Sequence, residues 1–159
     1  MEKISRKAEL ELYDLSEISE TKINLLKKAK QALKSSYSPY SNFAVAAAIL
    51  LKNGEIVIGA NQENAAYPSG LCAERVALFS AGAQYPTTEI ESLAITFSAK
   101  LEDFPTPCGS CLQVLSEFQG KQSTPIDVFL LHPGKDQVLY GKSVMEFLPF
   151  AFDKRFLGK

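Results

Sequence analysis

Three cysteines are the residues of this chain best suited to chemistry. Cys72 lies in Gly70-Leu-Cys-Ala-Glu74, and Cys108 and Cys111 lie in Pro105-Thr-Pro-Cys-Gly-Ser-Cys111. Both stretches read as helix starts. Residues i and i+3 of a helical turn stand about 60° apart around the axis, so Cys108 and Cys111 can grip one ion from a single turn. Free N–H groups and the positive end of the helix dipole favour thiolate over thiol at such positions. Two helix starts facing each other would therefore form a cation–thiolate site. Three protein ligands and one vacancy describe catalytic zinc, whereas structural zinc closes with a fourth ligand. A vacancy admits water, whose pKa zinc lowers toward neutrality. His132, the single histidine, follows an apolar strand and precedes Pro133-Gly134, so it reads as a surface or turn residue and not as a ligand.

Glu74 would turn a metal site into an enzyme. In an ideal helix it points about 200° away from Cys72, so the two converge only if Cys72 is the cap and stands outside helical dihedrals. Taken alone, Glu74 reads as a first-turn acid complementing the helix dipole; the cysteines give it a candidate acid–base role. Arg75 follows from charge: a dication among three thiolates leaves −1, and a guanidinium hydrogen-bonded to a ligand sulfur tempers that excess.

These residues need elements to hold them. Ile23, Leu26, Ala29 and Leu33 recur at helical spacing after Ser19, and Ser38-Pro39 forbids continuation. Lys22, Lys27, Lys28, Lys30 and Lys34 form its solvated face. Residues 43–51 and 56–58 flank Asn53-Gly54 and predict a hairpin with a type I′ turn. Helices are expected at 71–83 and 109–118, strands at 92–98, 126–131 and 138–140, and a short last helix at 144–148. Strands 92–98 and 126–131 are almost wholly apolar and flank a helix, the pattern of a βαβ crossover covered on both faces. The expected class is α/β, a three-layer α/β/α arrangement around a mixed sheet of about five strands. Leu10, Leu12 and Leu15 alternate with acids in residues 1–18, which read as a weak strand or an arm preceding a single domain at 19–159.

Composition narrows the function. With 159 residues, 46% hydrophobic and 22% charged, one globular domain is the expectation. Lys+Arg 17 against Asp+Glu 18 leaves −1, so no overall field attracts a nucleic-acid backbone or an anionic membrane. The longest apolar run, 43–51, is far short of the roughly 20 residues that span a bilayer. The first residues lack an apolar signal segment, so a cytoplasmic address is expected, where three cysteines are not disulfide partners.

Cys72-Ala-Glu-Arg75 and Pro107-Cys-Gly-Ser-Cys111, preceded by Ser38-Pro-Tyr-Ser41 and Asn61-Gln-Glu-Asn-Ala-Ala-Tyr67, closely resemble the cytidine deaminases of the small, all-cysteine, tetrameric type. The likeness runs over about residues 20–152 and leaves residues 1–18 outside it. It implies that Cys72, Cys108 and Cys111 bind one Zn²⁺ per subunit and that Glu74 moves protons. It assigns the ribose hydroxyls to Asn61 and Glu63, the base pocket to Phe43, and a contribution to a neighbouring subunit's pocket to Phe152, with Phe150 left to packing. Asn61 also reads as strand-end turn chemistry, and Phe43 as core. Two positions depart from the family pattern. Leu112 stands where Arg usually follows the second cysteine, and Ala46 where Gly usually follows Val.

The implied reaction is zinc-dependent hydrolytic deamination of cytidine and 2′-deoxycytidine to the uridines and ammonia, a step of pyrimidine salvage, in a homotetramer acting on a free nucleoside. Alternatives are a deaminase of another aminated base or nucleoside analogue, a catalytically silent partner domain, and a non-catalytic zinc or dithiol redox module.

Overall fold

Residues 45–51, small and branched, form an interior strand whose alternate side chains face two different helical layers. A computed structural model describes residues 1–99 and 101–158; Lys100 and Lys159, both within the expected 19–159 domain, lie outside the described residues. The strands are β1 (Glu11–Asp14), β2 (Val45–Leu51), β3 (Ile56–Ala60), β4 (Ile90–Phe97), β5 (Asp127–Leu131) and β6 (Gln137–Gly141). They form one six-stranded sheet in the order β1-β6-β5-β4-β2-β3. Among the described strands only β4 and β5 pair in parallel, and the helix between them makes the crossover that the apolar pattern predicted. The strand count exceeds the expected five because residues 11–14 pair antiparallel with β6.

The helices are α1 (Glu20–Ala32), α2 (Ala73–Gln84) and α3 (Gly109–Gly120). Ala47, Ile49 and Leu51 of β2 join the core of α2 and α3, while Ala48 and Leu50 join that of α1, which makes three layers. Ala46 packs against Ala32 and Ala60, so its methyl group is accommodated. Leu112 is buried in the α2–α3 core, where an arginine would need a charged partner.

Two local expectations are corrected. The β2–β3 hairpin forms, but its turn is not type I′. Among the described non-glycine residues only Asn42 has positive φ, at 55°, and in the turn Gly54 alone does, at 89°. Gly54 N–H donates to Leu51 O, Leu51 N–H donates to Glu55 O, and Asn53 Oδ1 accepts from Glu55 N–H. These bonds define a three-residue loop ending in a glycine bulge, with the Asn53 side chain stabilising a negative φ at its own backbone. The helix expected at 144–148 is a single 3₁₀ turn, Val144–Glu146, capped by Ser143 Oγ. Pro149 disfavours helical dihedrals at Leu148.

Residues 1–14 also reach the far end of the chain: Arg6 Nη1 donates to Pro149 O at 2.6 Å and lies over the Phe150 ring, and Glu9 N–H donates to Glu146 Oε2.

The approach of α2 to the sheet is the packing that matters most for function. A Cβ at Gly59 would lie 2.5 Å from Ala77 N and 2.6 Å from Ala73 O, so helix backbone rests directly on strand backbone. Ala73 and Ala77, both fully buried, leave room for that contact. Gly59→Ala must push α2 away. The expected loss of stability is about 1–3 kcal/mol, the usual cost of overpacking, measured by denaturant unfolding. An unchanged midpoint would show that the seam has slack.

Candidate metal centre and adjoining cavity

Cys72 and Cys108 both stand as N-caps in extended conformation, with φ −69°, ψ 155° and φ −67°, ψ 163°. This is the cap geometry that Glu74 requires in order to share a site with Cys72. Leu71, just before the cap, exchanges two backbone hydrogen bonds with Gln62 at 2.9 Å, which ties the start of α2 to the chain leaving β3. The crossover from β4 to β5 places the start of α3 beside it. Cys111, in the first turn of α3, is fully buried.

The three sulfurs meet. Cys72 Sγ lies 4.0 Å from Cys108 Sγ, Cys108 Sγ lies 3.6 Å from Cys111 Sγ, and all three fall within 4.8 Å of one another. Tetrahedral zinc with Zn–S near 2.3 Å needs sulfur–sulfur edges of about 3.8 Å, so the donor set fits zinc in spacing and chemistry. His132 lies outside the cluster. The sulfurs divide their protons unequally. Cys72 is held down at about 5 by hydrogen bonds from the Cys111 thiol and from Arg75, whereas Cys111 is pushed up by its bond to Cys72 and by burial. Arg75 Nη2 sits 3.8 Å from Cys72 Sγ, the sulfur contact expected from charge.

Glu74 is 5% exposed, and burial raises its pKa, with the Cys72 thiolate adding to the effect. It opens, with Cys72, on a cavity of about 380 Å³ walled by Phe43, Val45, Ile95 and Phe97, with Pro105 and Thr106 on the side of the loop before Cys108. Phe43 stacks on Phe97 at 6.1 Å between ring centroids, so it is both packed against the core and part of the wall. A second, more open depression of about 530 Å³ meets the first at Ser41, Asn61, Glu63 and Cys72. The Glu63 carboxylate accepts the Ser41 hydroxyl and the Tyr40 N–H, which hold its pKa below the ordinary range.

The Asn61 amide is largely engaged in structure. Its Oδ1 accepts from Val45 N–H and Ser36 Oγ, and its Nδ2 donates to Phe43 O, which ties together the chain on either side of Ala44. Turn chemistry and placement at the cavity therefore coexist in this residue, with one Nδ2 hydrogen outside those bonds.

Not every candidate converges. Phe152 is 56% exposed, stacks on Phe156 at 5.7 Å, and lies outside this chain's own cavity. Phe150 is exposed rather than packed in the core. A cavity of about 580 Å³ between Phe79, Tyr85 and Phe118 touches none of the cysteines. His132 stands at the turn and outside the metal cluster as expected, but not on the surface: it is 3% exposed and edge-on to both Phe97 and Phe104. Its sequence neighbours, a strand end and a Pro-Gly turn, carry no sign of the distant loop that covers it.

Residues 19–124 match the family model described as the cytidine and deoxycytidylate deaminase zinc-binding region. A cytidine deaminase of Halalkalibacterium halodurans is 39% identical over 128 residues, 80% of this chain and 91% of the relative. One from Sporosarcina psychrophila is 37% identical over 134 residues, 84% of this chain and 93% of the relative. The crystal structure of cytidine deaminase from Burkholderia pseudomallei superposes with a TM-score of 0.71 at 37% identity, covering 82% of this chain and 98% of that one. A sulfur triad at paired helix starts, a buried carboxyl beside it and these likenesses agree: the chain belongs to the cytidine and deoxycytidylate deaminase family.

Proposed function

We propose that the chain hydrolyses the 4-amino group of free cytidine and 2′-deoxycytidine, consuming water and releasing ammonia and the corresponding uridine. The observation that carries this reading is that Cys72, Glu74 and the Asn61–Glu63 pair border one cavity of about 380 Å³, the size of a small-molecule site. Cys72, Cys108 and Cys111 would hold one zinc ion per chain, which supplies Lewis acidity and makes a hydroxide-like nucleophile available near neutral pH.

The chain's own groups do the rest. Glu74 takes a proton from the attacking water and delivers it to N3 of the pyrimidine; it then takes the proton of the hydroxyl newly bound to C4 and passes it to the amine, so that the C4–N bond breaks, the C4 carbonyl forms and ammonia leaves. Its burial keeps that proton within the site and away from bulk solvent. Phe43 offers an apolar face to the base. The Glu63 carboxylate and the remaining Asn61 N–H offer an acceptor and a donor to the sugar hydroxyls. Arg75 tempers the charge of the sulfurs through its contact with Cys72.

Several finer points belong to the same proposal. The chain works as a homotetramer in the cytoplasm, in pyrimidine salvage, with no nucleic-acid or membrane partner. Residues 19–159 form the catalytic unit and residues 1–18 an extension of it. An exposed Phe152 supports its being lent to a neighbour's pocket.

Ultraviolet-monitored turnover with purified protein tests the chemistry, with cytosine and guanine as comparison substrates. Cytidine and 2′-deoxycytidine are expected to react, and Glu74→Gln to lower kcat by roughly 10²–10⁴-fold with zinc retained. Equal activity of wild type and variant would remove Glu74 from the mechanism. For Phe152→Ala, KM is expected to rise by up to about tenfold with kcat little changed, the scale of one lost aromatic contact. Light scattering should give a four-chain mass. Full activity of Phe152→Ala, or of a single-chain species, would contradict subunit sharing.

A further inference from the structure

We infer that His132 is a positioning residue for the cavity: it latches residues 101–107, the segment that brings Pro105 and Thr106 to the cavity wall and leads into Cys108. This segment has no regular secondary structure of its own, so side-chain and turn contacts must place it. The turn after β5 supplies them. His132 Nδ1 accepts the Gly134 N–H at 3.0 Å, so the neutral ring carries its proton on Nε2, which donates to Leu101 O at 2.9 Å. The imidazole thus satisfies one group of its own turn and one of the loop at the same time. Lys135 Nζ donates to Glu102 O at 2.5 Å and lies 5.8 Å from the centre of the Phe104 ring. Phe104 is therefore held between His132, edge-on at 5.2 Å, and Lys135.

The other side of the imidazole faces the site. Phe97 meets it edge-on at 5.5 Å and stacks in turn on Phe43, and both phenylalanines wall the cavity. His132 therefore touches the cavity through two routes, Phe97 behind one wall and the 101–107 segment that forms another. A bare apolar side chain would fill the space but remove two part-buried hydrogen bonds, to Leu101 O and from the Gly134 N–H, and with them the tie between the turn and the loop. A role in holding zinc is not part of this assignment, since the sulfurs lie elsewhere.

The test uses full-length, zinc-loaded protein with His132→Phe, which keeps the ring, and His132→Gln, whose amide N–H can restore the bond to Leu101 O. Hydrogen–deuterium exchange of the peptide spanning 101–108 should accelerate up to about tenfold in His132→Phe, the scale of one hydrogen bond, and return toward wild type in His132→Gln. KM for cytidine should rise about tenfold in His132→Phe while kcat stays within about twofold and zinc content is unchanged. The KM effect rests on the deaminase reading above; the exchange effect does not, so faster exchange in a protein that never deaminates cytidine would support the latch and reject the activity. If His132→Phe does not fold, Phe104→Leu loosens the same latch from the loop side and should show the same exchange and KM changes. Exchange and KM indistinguishable from wild type in the folded variant would overturn the inference, as would loss of zinc and kcat with loop exchange unmoved.

Discussion

Everything at this site depends on bringing three cysteine sulfurs within 4.8 Å of one another from two different helices. No local segment can do this alone. Cys108 and Cys111 come together on one turn, but Cys72 is 36 residues away and arrives only because the backbone of α2 lies directly on Gly59. The small side chains of Ala73 and Ala77 are thus part of the metal centre's architecture although they touch no metal. The parallel β4–β5 crossover then carries α3 to the same face of the sheet as α2. Without a cation the crowded sulfurs are not equivalent: hydrogen bonds from Cys111 and Arg75 hold Cys72 down, while the contact with Cys72 and burial push Cys111 up.

The same convergence explains the position of Glu74. Because Cys72 is an extended cap rather than a helical residue, the acid two positions on shares its cavity and does not point away from it. Burial raises the pKa of Glu74, which makes the carboxylate a better acceptor for a proton that it must take from water and pass on to a bound base. Farther out the cavity becomes polar at Ser41, Asn61 and Glu63, so the apolar and hydrogen-bonding parts of a nucleoside meet matching surfaces. The hydrogen bonds that keep Glu63 ionised come from the loop that precedes Phe43, so base wall and polar edge are placed by one segment.

Much of this was legible in the residues. Cysteine spacing indicated an ion held at helix starts, apolar runs indicated the crossover, and the cap requirement on Cys72 followed from helix geometry. What was not legible depended on long-range contacts. The Asn53-Gly54 turn differs from expectation because the Asn53 side chain bonds Glu55 and leaves positive φ to Gly54. The alternation in residues 1–18 allowed a weak strand, but not its place as the sixth strand of the sheet, which depends on the edge that β6 offers to residues 11–14. The burial of His132 at its turn was not legible because Leu101 and Phe104, its partners, are about thirty residues away in sequence. The role of Phe152 lies outside a single chain, where its ring rests on Phe156.

The most direct measurement of the central claim is X-ray absorption at the zinc K-edge of purified protein. The account predicts three sulfur scatterers near 2.3 Å and one oxygen or nitrogen scatterer near 2.0 Å, the signature of three cysteines with an open fourth position. Four sulfur scatterers, or a first shell with fewer than three, would contradict it.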